Sequence, residues 1–173
     1  MWGILTMHTF NRGSISIPDI SFDHMVFMEK PFQDDETVKQ WKQNGHVYGK
    51  YAGSTIEKNQ GQPNWVSCVE DQFELQNKTS CIYRMTPGTV MPEHKDFYKK
   101  YRSLYNVEDS NHIVRIVVFL EDWKSGHYFE IENNPIVNWK RGDYVMWKND
   151  TPHMAANIGN ENRYTLQITG CDV

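Results

Sequence analysis

The pattern of apolar and polar positions changes character near residue 80. Before that point one helix stands out. Asp34-Asp35-Glu36 offers an N-cap and an acidic first turn, Val38, Trp41 and Lys42 follow, and Asn44-Gly45 ends the element. The run Asn59-Gln60-Gly61-Gln62-Pro63-Asn64 reads as a loop. From about residue 80 the chain becomes a series of short strands and turns. Strands are expected at Cys81 to Met85, Val90 to Asp96, Ile113 to Leu120, Gly126 to Ile131, Pro135 to Trp139, Tyr144 to Trp147, His153 to Asn157 and Arg163 to Thr169. The third is the strongest, because Ile113, Val114, Ile116, Val117, Val118 and Phe119 are all β-branched or aromatic. Pro87-Gly88 and Arg141-Gly142-Asp143 supply turns. Eight closely spaced strands predict a mainly β fold with flanking helices, a sandwich or a jelly roll. The cupin class of jelly roll, a double-stranded β-helix, hosts mononuclear metal sites.

Composition narrows this picture. The chain has 173 residues, 39% of them hydrophobic, which suits a single domain spanning 1–173. Residues 1–78 would pack strands and a helix on a jelly-roll core at 79–173. Lys and Arg total 18 against 22 Asp and Glu, a net charge of -4, which argues against a dedicated nucleic-acid binder. Cys68, Cys81 and Cys171 are odd in number and lack metal-ligand spacing, so they read as buried reduced thiols. The apolar start, Met1 to Thr6, is interrupted early by Asn11 and Arg12, and no stretch reaches the length of a membrane span. A cytoplasmic protein with no membrane partner is the expectation.

Candidate chemistry centres on His94-Lys95-Asp96. A mononuclear iron oxygenase needs two imidazoles and a carboxylate on one face of the metal, with the other face open. On an extended strand His94 and Asp96 would point to the same side. A His-x-acid pair is by itself expected about once by chance in this composition. The surrounding chain carries more information. His153 begins a strand fifty-nine residues later, and Arg163 begins another ten residues after that. Arg163, Thr165 and Gln167 share one strand face, while Tyr164, Leu166 and Ile168 share the other. A polar face of that kind suits a barrel lining that grips a small anion, since a guanidinium holds a carboxylate with two parallel hydrogen bonds.

With His94-Lys95-Asp96, His153 and Arg163-Tyr164-Thr165 in this order, the sequence resembles the 2-oxoglutarate- and iron(II)-dependent oxygenase superfamily across residues 80 to 170. The run Arg84-Met85-Thr86-Pro87-Gly88, then Pro92-Glu93-His94, Arg115 and Gly142-Asp143, looks like the branch of aspartyl/asparaginyl β-hydroxylases and small prolyl hydroxylases. The asparaginyl-type enzymes often lack the metal carboxylate, whereas Asp96 is present. The resemblance implies a double-stranded β-helix with Fe(II) held by His94, Asp96 and His153. It implies 2-oxoglutarate as cosubstrate, with its far carboxylate on Arg163 and Thr165, and O2 as oxidant. The activity implied is hydroxylation of a C–H bond in a prolyl, aspartyl/asparaginyl or free amino-acid substrate, or in a peptide or protein that carries one.

Further residues carry both a structural and a functional reading. Arg115 lies inside the most apolar strand, where a charge is costly unless paired. Its partner is expected to be Glu121, Asp143 or a similar acid, and the alternative is a substrate or cosubstrate carboxylate. Tyr83 and Arg84 face opposite sides of their strand, so at most one lines the pocket, and Tyr83 is the candidate donor to the cosubstrate. Trp123, His127 and Trp147 read first as packing residues, with Trp147 and Asn157 as candidate substrate contacts. His8, His24, His46 and His112 lack partners at useful spacing. Lys148 precedes His153 and lacks the strand context of Arg163. The segment Phe97 to His112 interleaves aromatic and basic residues and reads as a lid, a nucleic-acid contact or a solvated turn. Three other functions remain open: a cupin enzyme without a cosubstrate, a non-catalytic cupin-type binding module, and a nucleic-acid-modifying oxygenase.

Overall fold

A computed structural model describes residues 10–29, 32, 34–46, 53–57, 60–148 and 151–172. The apolar start Met1 to Thr6, His8 and the first residue of the Asn59 loop lie outside these. Eleven strands are present among the described residues: β1 (Phe10–Ser14), β2 (Met28–Glu29), β3 (Ser54–Glu57), β4 (Gln76–Met85), β5 (Thr89–His94), β6 (Ile113–Phe119), β7 (His127–Ile131), β8 (Asn134–Ile136), β9 (Asp143–Lys148), β10 (His153–Asn157) and β11 (Arg163–Cys171). They form two antiparallel sheets, one ordered β1-β9-β6-β11-β4-β3-β2 and the other β5-β10-β7-β8. From β4 onward the chain passes back and forth between the two sheets, the β7–β8 hairpin apart, and so winds into a double-stranded β-helix. The turns are built for it. Gly142, with φ +89°, closes the turn into β9, and a Cβ there would lie 2.3 Å from the Ile15 carbonyl oxygen.

The seven-stranded sheet is covered on both faces. Its inner face meets the second sheet through Met85, Val117, Phe119, Phe129, Val145 and Trp147. On the outer face Ile82, Ile116, Val118, Leu166 and Ile168 pack against Val66 and Val69 of α2 (Trp65–Glu70). Residues 15–27 complete that cover, with Phe22 stacked on Tyr164 at a ring-centroid distance of 3.8 Å. Double coverage explains why β6 is apolar on both faces except at Arg115, which borders a cavity.

Helix α1 (Asp35–Gln43) begins as its sequence requires. The Asp34 carboxylate accepts hydrogen bonds from the amides of Glu36 and Thr37. Trp41, the buried residue of the helix, donates from Nε1 to the Glu93 carbonyl at 2.8 Å and so ties the helix to the end of β5. Two short helices go beyond the sequence expectation. One is α2; the other is α3 (Lys99–Tyr105), within the segment read as a lid or turn. α3 is entered and left through left-handed residues, Tyr98 at φ +52° and Asn106 at φ +53°. Asn106 is a residue type that favours this conformation at a helix end, but nothing in the local sequence marks Tyr98 for it. Cys171 is buried but Cys81 is half-buried and Cys68 exposed, which corrects the expectation of three buried thiols; none of the three is in a disulfide. No helix among the described residues is long and apolar enough to cross a membrane.

Candidate metal centre and anion pocket

His94 and His153 face each other across the β5–β10 ladder as register partners, with ring centroids 4.4 Å apart. Each ring is fixed in the same way. Nδ1 of His94 pairs with the Pro92 carbonyl at 2.9 Å, and Nδ1 of His153 with the Thr151 carbonyl at 3.0 Å. A carbonyl only accepts, so each Nδ1 carries the proton and each Nε2 presents a lone pair. Phe32 and Trp41 set their rings edge-on to His94, and Trp147 lies 4.8 Å from the His153 ring. Burial holds both imidazoles neutral. The His94 pKa is pushed down to about 4 by burial and by the neighbouring His153, and that of His153 is lowered by burial.

Asp96 completes the group, but not by the expected route. β5 ends at His94, so Asp96 stands in the following loop rather than on the strand. An extended strand therefore does not aim the two side chains together. The loop is secured from another strand. Arg115 Nε donates to Asp96 Oδ2 at 3.1 Å, and the same oxygen lies 3.9 Å from His153 Nε2. Arg115 thus pairs with Asp96, not with Glu121 or Asp143. Glu121 takes Lys124, and Asp143 accepts from the Lys140 amide. Burial would raise the Asp96 pKa, but Arg115 and the two imidazoles outweigh it and keep the carboxyl ionised far below the usual range. One ligand atom from each of His94, Asp96 and His153 lies within 4.8 Å of the others. Two neutral imidazoles and one carboxylate are a donor set suited to a divalent transition metal.

A cavity of about 900 Å³ opens beside this group and runs along the inner face of β11. The alternation expected for that strand holds. Arg163, Thr165 and Gln167 line the cavity, while Leu166 and Ile168 enter the outer core. Arg163 is 3% exposed and lies among rings, 5.5 Å from the Trp139 centroid, 5.8 Å from Phe129 and 5.9 Å from Phe119. It has no carboxylate partner among the described residues. Its Nη1 approaches only the Met85 sulfur, at 3.6 Å, and its buried Nε has no hydrogen bond. Burial pushes its pKa down to about 10. A buried cation without a counter-charge is costly, and an anion entering the cavity would remove that cost.

Tyr83 is the register partner of Thr165, which places both side chains on the cavity wall. The Tyr83 oxygen accepts from the Gly53 amide, which leaves its own proton free to donate. Gly53 is required there, because a Cβ would come within 2.1 Å of the Arg84 carbonyl oxygen. Burial raises the Tyr83 pKa to about 12, so the hydroxyl stays neutral. Trp147 also lines the cavity. Asn157 does not, which corrects its candidacy as a substrate contact. It shares a strand face with His153 but lies at the far end of β10. Its side-chain amide donates to the Met85 and Glu161 carbonyls, and its oxygen accepts from the Gly159 amide. Trp123 and His127 lie outside the lining, and Lys148 pairs with Asp172.

Sequence reasoning missed Tyr98. It is 8% exposed, its ring lies 5.2 Å from the Arg115 guanidinium carbon, and its hydroxyl has no hydrogen-bond partner among the described residues. Its position two residues after Asp96 was the available clue; the left-handed backbone that turns it inward was not visible.

No family model matches the chain, and no curated protein matches it. Solved structures do. A prolyl-4-hydroxylase from Pseudomonas putida is similar over 97% of this chain and 95% of its own, at 13% identity and a TM-score of 0.55. A cupin protein from Bacteroides fragilis matches 72% of this chain and 85% of its own, at 14% identity and a TM-score of 0.42. A cupin domain from Bordetella pertussis matches 72% and 97%, at 10% identity and a TM-score of 0.41. At these identities the likeness is one of fold.

Proposed function

We propose that this chain is a 2-oxoglutarate- and Fe(II)-dependent dioxygenase that hydroxylates a C–H bond of an amino-acid, peptide or protein substrate. It has a cupin-type double-stranded β-helix with a His-Asp-His group able to hold a metal. One observation carries the finer reading: the uncompensated Arg163 guanidinium, buried at the wall of the cavity that the metal group also lines. A cavity that only bound a metal would have no use for a buried, unpaired cation. A dicarboxylate that reaches from the metal group to Arg163 explains both. That the P. putida neighbour is named a prolyl-4-hydroxylase accords with this chemistry.

In this reading His94 Nε2, His153 Nε2 and the Asp96 carboxylate hold iron(II). When bound, the metal supplies the coupled chemistry in which O2 converts 2-oxoglutarate to succinate and CO2 and delivers its second oxygen atom to a substrate C–H bond. Arg163 receives the far carboxylate of the cosubstrate with paired hydrogen bonds, and Thr165 and Tyr83 add hydroxyl donors. Phe119, Phe129 and Trp139 exclude water around that ion pair and strengthen it. Asp96 stays ionised and the imidazoles neutral at physiological pH, so the ligand set is ready without losing protons. The basic-aromatic segment favours a nucleic-acid substrate less than its composition suggests, because Lys99 pairs with Asp34 and Lys100 with Glu57.

The test is an anaerobic titration of the purified chain with iron(II) and then 2-oxoglutarate, followed by succinate release in air. The expected result is a 1:1 complex whose cosubstrate affinity collapses in Arg163→Ala while iron affinity is retained. A chain that binds neither, or a variant that loses both equally, overturns the reading.

A further inference from the structure

The cavity holds a second guanidinium. Arg115 of β6 stands opposite Thr169 of β11, whereas Arg163 stands opposite Met85 of β4. Six residues of strand separate Thr169 from Arg163, roughly 20 Å of backbone. A five-carbon dicarboxylate anchored at Arg163 and at the metal group does not also fill the Arg115 end.

Arg115 is only partly committed. Its Nε holds Asp96, and that is its sole hydrogen bond to a described residue given by the geometry. Arg115 lines the cavity, and its two terminal nitrogens make no hydrogen bond to a described residue. Tyr98 lies against the same guanidinium, its buried hydroxyl near both Arg115 and Asp96 but without a well-formed hydrogen bond to either. A hydroxyl donor beside an open guanidinium edge is an arrangement that receives a carboxylate. The charge of the wall agrees. Lys99 and Lys100 are neutralised by Asp34 and Glu57, and Asp96 offsets Arg115. With Arg163 taken by the cosubstrate, Lys95 is left as excess positive charge on the wall of a protein whose net charge is -4.

We propose that the substrate oxidised at this site carries a carboxylate, which docks on the outer edge of Arg115 with the Tyr98 hydroxyl as a further donor. The proposal rests on the oxygenase reading and names the substrate class for it. Arg115 grips a metal-ligand carboxylate with one edge and the substrate with the other. The oxidised carbon is therefore close to the docked carboxylate, at its α, β or γ position. The same chemistry is offered by a free amino acid or small acid and by an aspartyl side chain in a peptide.

The test is calorimetry on manganese(II)-loaded, 2-oxoglutarate-saturated protein without oxygen. The probes are L-aspartate, L-proline and L-valine and their N-acetyl forms, each paired with its carboxamide, and an N-acetyl-aspartyl peptide amide whose only carboxylate is in the side chain. The expected result is at least a tenfold preference for one acid over its amide, as loss of a charge-assisted fork implies. Binding by the free acids or by the peptide distinguishes the two sources. Arg115→Lys and Arg115→Gln should weaken manganese by about 10- to 100-fold, as loss of a ligand's outer partner does, and should abolish the preference even when the site is refilled with excess manganese, with 2-oxoglutarate still bound. Tyr98→Phe should weaken the acid alone. If no acid is preferred, or if both Arg115 variants refilled with manganese still prefer the acid, the proposal is wrong and Arg115 only supports Asp96. Failure of the oxygenase reading reads out separately, as wild-type protein that does not bind 2-oxoglutarate.

Discussion

Arg163 and Arg115 stand at opposite ends of one cavity and meet opposite surroundings. Arg163 is enclosed by three aromatic rings and a thioether, and burial lowers its pKa. Arg115 is also desolvated, but Asp96 at 3.1 Å more than compensates and its pKa rises. The same side chain on the same sheet is thus a structural tie in one place and a buried cation without a carboxylate partner among the described residues in the other. What separates them is whether the chain itself supplies the counter-charge. A buried cation that the fold leaves unpaired marks a ligand, and a paired one marks the protein's own architecture, save for the edge left free.

The largest expected effect removes the receptor. Arg163→Met should weaken 2-oxoglutarate binding by about a hundredfold or more, as loss of a desolvated charge partner does. The same change should raise the melting temperature of the ligand-free protein, because an isosteric apolar side chain replaces an uncompensated charge. Binding calorimetry and a thermal melt check the two halves. A variant that lost stability without ligand would show that Arg163 has a partner of its own.

The histidines line the same cavity, and pH probes them. The folded-state pKa of His94, about 4, lies below the ordinary value near 6.5. Between those values the unfolded chain binds a proton that the folded chain does not, so stability rises with pH across the window. The contribution is complete above pH 6.5 and lost on acidification towards pH 4, roughly 3 kcal/mol for this group. His153 moves in the same direction. Denaturant titrations of the metal-free protein from pH 7 to 4 measure it, and His94→Gln should flatten the slope.

Removing the counter-charge at the other end should make that end resemble the first. Asp96→Ala leaves Arg115 unpaired, and about 2 kcal/mol of stability should be lost, less than for a fully buried pair because both side chains are about one-fifth exposed. Added small carboxylates should restore part of it, and metal binding should fall. The smallest effect is at the hydroxyl beside the receptor. Tyr83→Phe should cost about 1 kcal/mol in 2-oxoglutarate affinity, roughly fivefold, with iron affinity unchanged.

Some features were legible because they are local. The Asp34 cap and the Asn44-Gly45 end defined α1. β10 spans His153–Asn157 as the sequence indicated, and β11 starts at Arg163 and alternates polar and apolar faces as expected. The spacing from His94 to His153 to Arg163 singled out residues that do meet at one cavity. Other readings failed where backbone conformation is not encoded by residue type. The strand was extended through Asp96 because alternation cannot show where pairing stops. α3 is not legible in the sequence, because it is only seven residues long and starts from the left-handed Tyr98, a residue type that seldom takes that conformation. Asn157 was placed at the pocket because sharing a face says nothing about distance along the strand.

The sequence by itself determined the strand periodicity, the helix cap, and the order of imidazole, carboxylate and guanidinium along the chain. These follow from side-chain chemistry and from the two-residue repeat of an extended backbone. Only the tertiary structure decided which charges are paired. Arg115 finds Asp96 nineteen residues away in the chain, and Arg163 finds none, because pairing depends on which strands become neighbours and which side chains water can reach.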